Sequence, residues 1–132
     1  MIIDSDILID ASRNQAAAIE FLIHSNNLET LNISVISYLE LQAGARNKAE
    51  LQRIEKFLSR FVVIAIDSDI SHRAVALMRQ YRLSHGLALP DALIAATALE
   101  EGETLATCNL RDFSFILGLQ IVSPNSSIWR KS

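Results

Sequence analysis

Short apolar segments alternate along the chain with longer segments in which apolar residues recur at helical spacing. The short segments predict buried strands at 1–4, 31–35, 61–66, 104–107 and 119–122. The longer segments predict helices at 5–11, 14–24, 37–45, 48–60, 68–83 and 90–101, with one helical turn at 111–116. Strands that alternate with helices are typical of a parallel sheet covered on both faces. The pattern therefore predicts an α/β domain with a central, mostly parallel sheet of four to five short strands.

Local signals refine some of these boundaries. Ser37 and Glu40 have the spacing of a capping box, which predicts that Ser37 caps the third helix. Ser68 or Asp69 is expected to cap the helix after the third strand. That helix is expected to end near residue 83, because 84–86 (Ser-His-Gly) predicts a loop.

The length of 132 residues is that of one domain, so residues 1–132 are expected to form a single unit. Half of the residues are apolar, more than so small a domain usually needs in its core. Either the surplus covers a partner surface or all of it fills the core. The residues concerned are Ala17, Phe21, Phe57 and Leu58. Trp129 is a candidate anchor for the polar C-terminal tail.

Cellular location and redox state follow from what the apolar runs and the cysteine count exclude. Asp4 and Asp6 interrupt the first apolar run, which also lacks the basic start of a signal peptide. No run reaches the roughly 18 residues of a spanning helix. We therefore expect a cytoplasmic protein without a membrane partner. Cys108 is alone, which excludes an internal disulfide and a cysteine zinc cluster.

Four acidic residues stand beside apolar strands or on apolar helices, where a lone charge is costly unless it is paired or bound to metal. Asp4 closes the first strand, Glu40 lies on the third helix, Asp91 opens an alanine-rich helix, and Asp112 follows the fourth strand. Each also has a local explanation as a cap or turn residue, about as probable as a functional one. Taken together, they are expected at the edge of a parallel sheet that binds ligands.

Clustered carboxylates repel one another unless some are protonated or a cation is bound. Mg²⁺ prefers oxygen ligands, takes few protein carboxylates and keeps several waters. Such a site suits phosphodiester hydrolysis. The net charge of −3 does not exclude a nucleic-acid substrate, because setting four site acids aside leaves 11 acids against 12 Lys and Arg residues. The basic candidates for phosphate contacts are Arg46, Lys48, Arg53, Lys56 and Arg111.

A repeated sequence pattern complicates the choice of candidate functional aspartates. Residues 64–70 (IAIDSDI) repeat the pattern of residues 2–7 (IIDSDI). Local pattern alone does not decide which aspartate is functional. Asp67 and Asp69 lead into a long helix, so we favour a capping role for them.

In four segments the chain resembles PIN-domain ribonucleases, in particular the VapC toxins of bacterial type II toxin–antitoxin pairs. The matching segments occur in family order and span nearly the whole chain. They are Asp4-Ser5-x-x-Leu8, ISYLELQAG around Glu40, PDALIAATAL with Asp91, and Thr107-x-Asn109-x-x-Asp112-Phe113 followed by Gly118-Leu119.

The resemblance implies a three-layer α/β/α fold and endoribonuclease activity that depends on Mg²⁺, with Mn²⁺ as a substitute. It implies a toxin that cleaves RNA, such as tRNA or another structured RNA, and a homodimer inhibited by a cognate antitoxin. An antitoxin arginine entering the acidic site would explain the inhibition.

The resemblance also implies site roles. Asp4, Glu40 and Asp91 match the family acids, with Asp4 and Asp91 on the metal directly. Glu40 and Asp112 then bind through water or hold a second ion. Some relatives carry an acid where Asn109 stands, so the fourth position is divided between Asn109 and Asp112, and Asp112 can act as an anion. The supporting residues are Ser5, Asn109 and, more peripherally, Asp6.

Three alternatives remain open at this point, and the closest is a DNA or general nuclease of the same fold. Asp4-Ser5-Asp6 looks like the start of a haloacid-dehalogenase-type phosphatase motif, although Leu8 stands where that motif usually has Thr or Val. The acids could instead be structural, in a non-catalytic PIN-like or receiver-like interaction module. The histidines form no HExxH or close pair, and the chain has neither a serine nucleophile elbow nor a glycine-rich phosphate loop.

Overall fold

The computed structural model describes residues 1–124, so the role expected of Trp129 falls outside it. Five strands form the sheet in this range: β1 (Ile2–Ile3), β2 (Asn32–Ser34), β3 (Val62–Ile64), β4 (Leu105–Ala106) and β5 (Ile121–Val122). Seven helices cover it there: α1 (Ser5–Ser12), α2 (Ala16–Asn26), α3 (Val35–Ala43), α4 (Lys48–Leu58), α5 (Ser68–His85), α6 (Leu89–Glu101) and α7 (Leu110–Phe113).

The strands are ordered β3-β2-β1-β4-β5, and every neighbouring pair is parallel. β1 is therefore the central strand and β3 is an edge strand. Because all carboxyl ends lie on one side of the sheet, the residues that follow β1, β2 and β4 are brought to the same edge. The predicted parallel α/β architecture is confirmed.

Alternate residues of the short strands face opposite layers. Ile2 and Leu105 pack with α5, α6 and α7, while Ile3 and Ala106 pack with α1, α2, α3 and α4. All four side chains are 0% exposed. The two cores on opposite faces make the predicted three-layer α/β/α arrangement.

The alanine-rich helix α6 packs closely in the core. Ala92, Ala95, Ala96 and Ala98 are at most 1% exposed, since a methyl side chain lets the helix approach its neighbours. Gly102 ends the helix in the left-handed conformation, at φ 65°, which glycine adopts without strain. α6 thereby fixes Asp91, in its first turn, against the body of the domain.

Two boundary predictions are wrong. Ser34, not Ser37, caps α3, because its hydroxyl accepts a hydrogen bond from the Ile36 N–H at 3.1 Å. Asp67, not Ser68 or Asp69, caps α5 by accepting from the Ile70 N–H at 2.8 Å. In both helices the residue with extended backbone directly before the first turn supplies the cap.

α5 also continues through His85, two residues into the predicted loop, and is capped by Gly86 with φ 69°. The Arg82 guanidinium donates to the carbonyls of Gly86 and Leu87, which satisfies acceptors at this helix end. Ser84 and His85 thus lie in the last turn of α5, and only Gly86 of the predicted loop marks the helix end.

The apolar surplus divides between core and surface. Phe21 and Leu58 are 2% and 0% exposed, so of the two alternatives left open by the sequence these residues follow the one in which they fill the core. Phe57 is partly buried and lines a cleft, and Ala17 is exposed. Within residues 1–124, no helix is both long and apolar enough to span a bilayer.

Candidate active site

Asp4 lies at the carboxyl end of the central strand and is held from three sides. Its N–H donates to the Ala106 carbonyl at 2.9 Å, which extends the pairing of β1 with β4. One carboxylate oxygen accepts from the Ser5 N–H at 2.8 Å and caps α1. The other accepts from the Thr107 hydroxyl at 2.7 Å. The side chain is only 5% exposed, so the local capping role and a functional position coincide in one residue.

Asp6 lies one residue into α1 and reaches the same point. Its Oδ2 accepts from the Cys108 N–H at 2.9 Å and from the Thr107 hydroxyl at 3.4 Å. The Thr107 hydroxyl therefore lies between the carboxylates of Asp4 and Asp6. The charge of Asp6 is also close enough to Asp4 to raise the pKa of that residue. Asp6 thus lies beside Asp4, nearer than its expected peripheral position.

Glu40 is brought to this edge by α3, which follows β2. The Ser5 hydroxyl lies 2.6 Å from Glu40 Oε1 and 2.9 Å from Ser37 Oγ. Ser5 therefore lies where its expected supporting role requires, with its hydroxyl against the Glu40 carboxylate. Glu40 does not form the predicted capping box with Ser37, because α3 starts two residues earlier and places Ser37 inside the helix.

Asp91 and Asp112 complete the acidic group. Asp91 is half-buried in the first turn of α6, and burial raises its pKa to about 6, with further contributions from the charges of Asp112, Glu40 and Asp6. All three of these charges are negative. Asp112 lies exposed on α7, the helix that follows β4. Acids of α1, α3 and α7 are therefore near enough to Asp91 for their charges to raise its pKa.

Asn109 contributes differently from Asp112. Its N–H donates to Thr107 Oγ1 at 3.0 Å, and its side chain makes no capping bond to α7. The contact therefore orients the Thr107 hydroxyl, which donates to Asp4 in turn. Of the two candidates for the fourth acidic position, Asp112 is the one whose charge acts on Asp91.

Burial and the repulsion of like charges both disfavour ionisation in this group. Burial is the largest cause that raises the pKa of Asp4 to about 7. The charges of Asp6 and Asp91 act in the same direction, and the hydrogen bonds from Thr107 and Ser5 act against it. Burial likewise raises the pKa of Asp6. Carboxyl groups in this state gain free energy when a cation binds among them. The donor set, which is oxygen only, suits a hard divalent ion.

The geometry does not form a closed cage. Among residues 1–124, no three His, Cys, Asp or Glu side chains converge closely enough to hold an ion by themselves. This fits Mg²⁺, which is usually bound by one or two carboxylates and completes its shell with waters. The site thus fits a hydrated ion held by few carboxylates, with the other acids further away.

Sequence reasoning missed two positioning hydroxyls. Thr107 was part of a matching segment but had no role, and it bonds to Asp4, Asp6 and the Asn109 N–H. Ser37 was assigned to a cap and instead contacts Ser5. Both are 0% exposed, and a polar side chain inside an apolar segment was the available signal.

A cleft of about 1030 Å³ runs between α1, α2, α3 and α4, and Glu40 is among its lining residues. Apolar side chains, including those of Ile9, Leu22 and Phe57, form part of its wall. Four arginines also line it: Arg13, Arg46, Arg53 and Arg60. Of the basic residues proposed for phosphate contacts, Arg46 and Arg53 lie here, and Arg46 is paired with Glu50 at 2.8 Å.

Comparisons with known proteins agree with this architecture. The family model described as PIN domain matches residues 1–115. Ribonuclease VapC10 of Mycobacterium tuberculosis is 40% identical over 114 residues, which cover 86% of this chain and 85% of that protein.

Solved structures are similar over the same extent. A toxin–antitoxin complex from Klebsiella pneumoniae has a TM-score of 0.77 at 35% identity, covering 93% of this chain and 96% of that chain. VapBC2 from Rickettsia felis, bound to a DNA fragment from its promoter, has a TM-score of 0.81 at 26% identity, covering 92% and 96%. The chain belongs to the PIN-domain family and, within it, to the VapC ribonucleases.

Proposed function

We propose that this chain is the toxin of a type II toxin–antitoxin pair and cleaves RNA as an endoribonuclease that depends on Mg²⁺, with Mn²⁺ as a substitute. It acts in the cytoplasm, where its RNA substrates and its antitoxin are made. The proposal is supported by acidic charges that act on one another at one edge of the sheet in a chain of the VapC family. The charges of Glu40 and Asp112 act on Asp91, and the charge of Asp91 acts on Asp4. The phosphatase alternative is wrong, because the PIN domain model spans the segment on which it rested.

Each acid has a distinct role in this proposal. Asp4 and Asp91 are the direct ligands, because both match the acids of the family pattern and both have a pKa raised by burial, to about 7 and about 6. Glu40 and Asp112 act through water or hold a second ion. When bound, the divalent ion supplies a water of lowered pKa for attack on phosphorus and offsets charge on the phosphate.

The remaining residues keep these carboxylates in place. The Ser5 N–H and the Thr107 hydroxyl each hold one oxygen of Asp4, so its orientation does not depend on the metal. Asn109 orients Thr107, and Ser5 holds Glu40. Groups fixed before substrate binds need not reorganise during the reaction, which is where such sites gain rate.

The deciding experiment is cleavage of total RNA, tRNA included, by purified wild type and Asp91→Asn. We expect wild type to produce discrete fragments with Mg²⁺ or Mn²⁺ and none with EDTA. Asp91→Asn should produce no fragments, while its circular dichroism spectrum should match that of wild type. Mapping the fragment ends would define the RNA class. Full activity in Asp91→Asn would contradict the assignment of that residue. Wild type that cleaves no RNA, with or without Mn²⁺, would favour the non-catalytic interaction module.

The similar solved structures from Klebsiella pneumoniae and Rickettsia felis are a toxin–antitoxin complex and VapBC2, which supports a cognate antitoxin as partner. We place the antitoxin in the arginine-lined cleft. The apolar wall and the basic residues suit a segment with apolar anchors and acidic side chains. Because Glu40 lies in both the cleft and the acidic group, an arginine of the bound segment can neutralise the site.

Charge reversal tests this placement. Arg53→Glu should weaken the antitoxin complex by roughly tenfold, since it places a negative charge in the basic cleft. Arg79 is exposed on α5, and Arg79→Glu is the matched control, which should bind the antitoxin like wild type. Equal weakening by both variants would place the antitoxin elsewhere.

We also propose a homodimer. Leu39 and Leu89 are 51% and 62% exposed and lie on α3 and α6, next to the helical positions of Glu40 and Asp91. Leu39→Asp should convert a dimer to a monomer in size-exclusion chromatography with light scattering. Leu83→Asp, at a side chain 99% exposed on α5, should not. A wild-type monomer at micromolar concentration would refute the dimer.

A further inference from the structure

Ser37 is a polar side chain without a local reason to be buried. It lies within α3, one helical turn before Glu40, and is 0% exposed. It does not cap the helix, since Ser34 has that role. A buried hydroxyl costs free energy unless it is hydrogen-bonded. Its partner is Ser5 Oγ at 2.9 Å, on the neighbouring helix α1.

The direction of the hydrogen bonds follows from counting protons. Ser5 has one hydroxyl hydrogen and lies within bonding distance of both Ser37 Oγ and Glu40 Oε1. The ionised Glu40 carboxylate can only accept. Ser5 therefore donates to Glu40, and Ser37 donates to Ser5. The result is a chain of two bonds that runs from the buried interior to an exposed carboxylate.

Such a chain has consequences for Glu40. Glu40 is exposed and on a helix, where its long side chain has many rotamers to lose on ordering. A hydroxyl–carboxylate bond of 2.6 Å is a charge-assisted bond, which is stronger than a neutral one. A second donor behind Ser5 fixes the rotamer of that hydroxyl and polarises it toward the carboxylate.

We propose that Ser37 is a positioning residue for the metal site, which acts through Ser5 to hold the Glu40 carboxylate in its binding orientation. The inference rests on the proposed function, because it assigns Glu40 to the ion or its waters. It predicts that Ser37 affects cation affinity although it does not touch the cation. Outer hydrogen-bond partners of metal ligands commonly change affinity by about 10–100-fold when removed.

The test measures Mn²⁺ binding by calorimetry on the purified full chain at pH 8, without RNA. We expect Ser5→Ala to weaken binding by about tenfold and Ser37→Ala, one bond further out, by about threefold to tenfold. The double variant Ser5→Ala/Ser37→Ala should bind like Ser5→Ala alone, because Ser37 acts only through Ser5. Additive losses would overturn the proposed route.

Ser34→Ala is the matched control. Ser34 is also a 0% exposed serine at the start of α3, but its hydroxyl bonds to backbone. We expect this variant to lose thermal stability while keeping wild-type Mn²⁺ affinity. If Ser34→Ala and Ser37→Ala weaken Mn²⁺ binding equally, the effect is general loosening of α3 and the proposal is overturned.

The binding readout separates this inference from the proposed function. Wild type that binds Mn²⁺ but cleaves no RNA would remove the ribonuclease proposal, and a weakened Ser37→Ala variant would still support the positioning role. Conversely, RNA cleavage with unchanged Mn²⁺ affinity in Ser37→Ala would support the ribonuclease and overturn the role of Ser37.

Discussion

Two segments of this protein have nearly the same sequence and different surroundings. Asp4-Ser5-Asp6 and Asp67-Ser68-Asp69 each follow isoleucine-rich segments, and in each the first aspartate caps the helix that begins with the serine. Asp4 is 5% exposed, and burial together with the charges of Asp6 and Asp91 raises its pKa to about 7. Asp67 is exposed, and its carboxylate accepts from the Ile70 N–H.

The position of the strand explains the difference. β1 is central, so β2 and β4 bring α3 and residues 107–112 to either side of Asp4. β3 is at the edge and ends at Ile64, three residues before Asp67. A capping aspartate thus becomes a site residue only where neighbouring strands deliver further polar groups to it. Both aspartates cap a helix because of their local sequence, whereas the acidic site around Asp4 depends on the order of the strands in the sheet.

The largest difference between the two segments should appear in RNA cleavage when the charge of Asp4 or of Asp67 is removed. Asp4→Asn should lower RNA cleavage by about 10²–10³-fold, as expected when a positioned electrostatic group is lost. Asn retains an oxygen acceptor for the Ser5 N–H, so the fold should survive. Asp67→Asn should cleave like wild type. A comparable loss in both variants, measured by initial rates on the same RNA, would erase the distinction.

A smaller effect is expected from pH. Metal binding requires ionised carboxylates, and the pKa values of Asp4 and Asp91 are about 7 and about 6. Mn²⁺ affinity should therefore be about tenfold weaker at pH 6 than at pH 8. Calorimetry at both pH values checks this, with Asp67→Asn showing the same dependence as wild type. Equal affinity at pH 6 and pH 8 would contradict the raised pKa values.

The smallest effects are on stability, and they have opposite signs. Asp67→Ala should cost about 1 kcal/mol through loss of the α5 cap. The folded-state pKa of Asp4, about 7, exceeds its ordinary value of 3.8, so ionisation favours the unfolded state. This penalty is absent below about pH 4 and complete above pH 7. Asp4→Asn should therefore raise the melting temperature of the metal-free protein at pH 8 and not at pH 4. Destabilisation at pH 8 would show that the cap outweighs the repulsion.

Much of the architecture was accessible from residue pattern. The alternation of short apolar runs with helical segments predicted the parallel sheet and both helical layers, because burial on two faces leaves continuous apolar strands. The alanine-rich sequence of α6 allows the close packing that the structure shows. Boundaries were less accessible, since Ser34 and Ser37 both have hydroxyls suited to a cap. Only backbone geometry at the start of α3 decides between them.

The acids Asp4, Glu40, Asp91 and Asp112 could be chosen from the sequence as polar exceptions in apolar surroundings. Their contacts could not, because Asp4 and Thr107 are 103 residues apart and meet only when β1 pairs with β4. The same pairing brings the Cys108 N–H to Asp6. The chain of bonds from Ser37 to Glu40 likewise requires α1 and α3 to pack together.

By itself, the sequence determined the layers of this protein, its family and the acids at its strand ends, because these follow from local composition and chain order. Tertiary structure decided which of the two Asp-Ser-Asp segments meets other acids and which hydroxyls orient them. It also decided that Phe21 and Leu58 fill the core while Leu39 stays exposed. The physical reason is that burial and repulsion depend on distances across the sheet, which strand order sets.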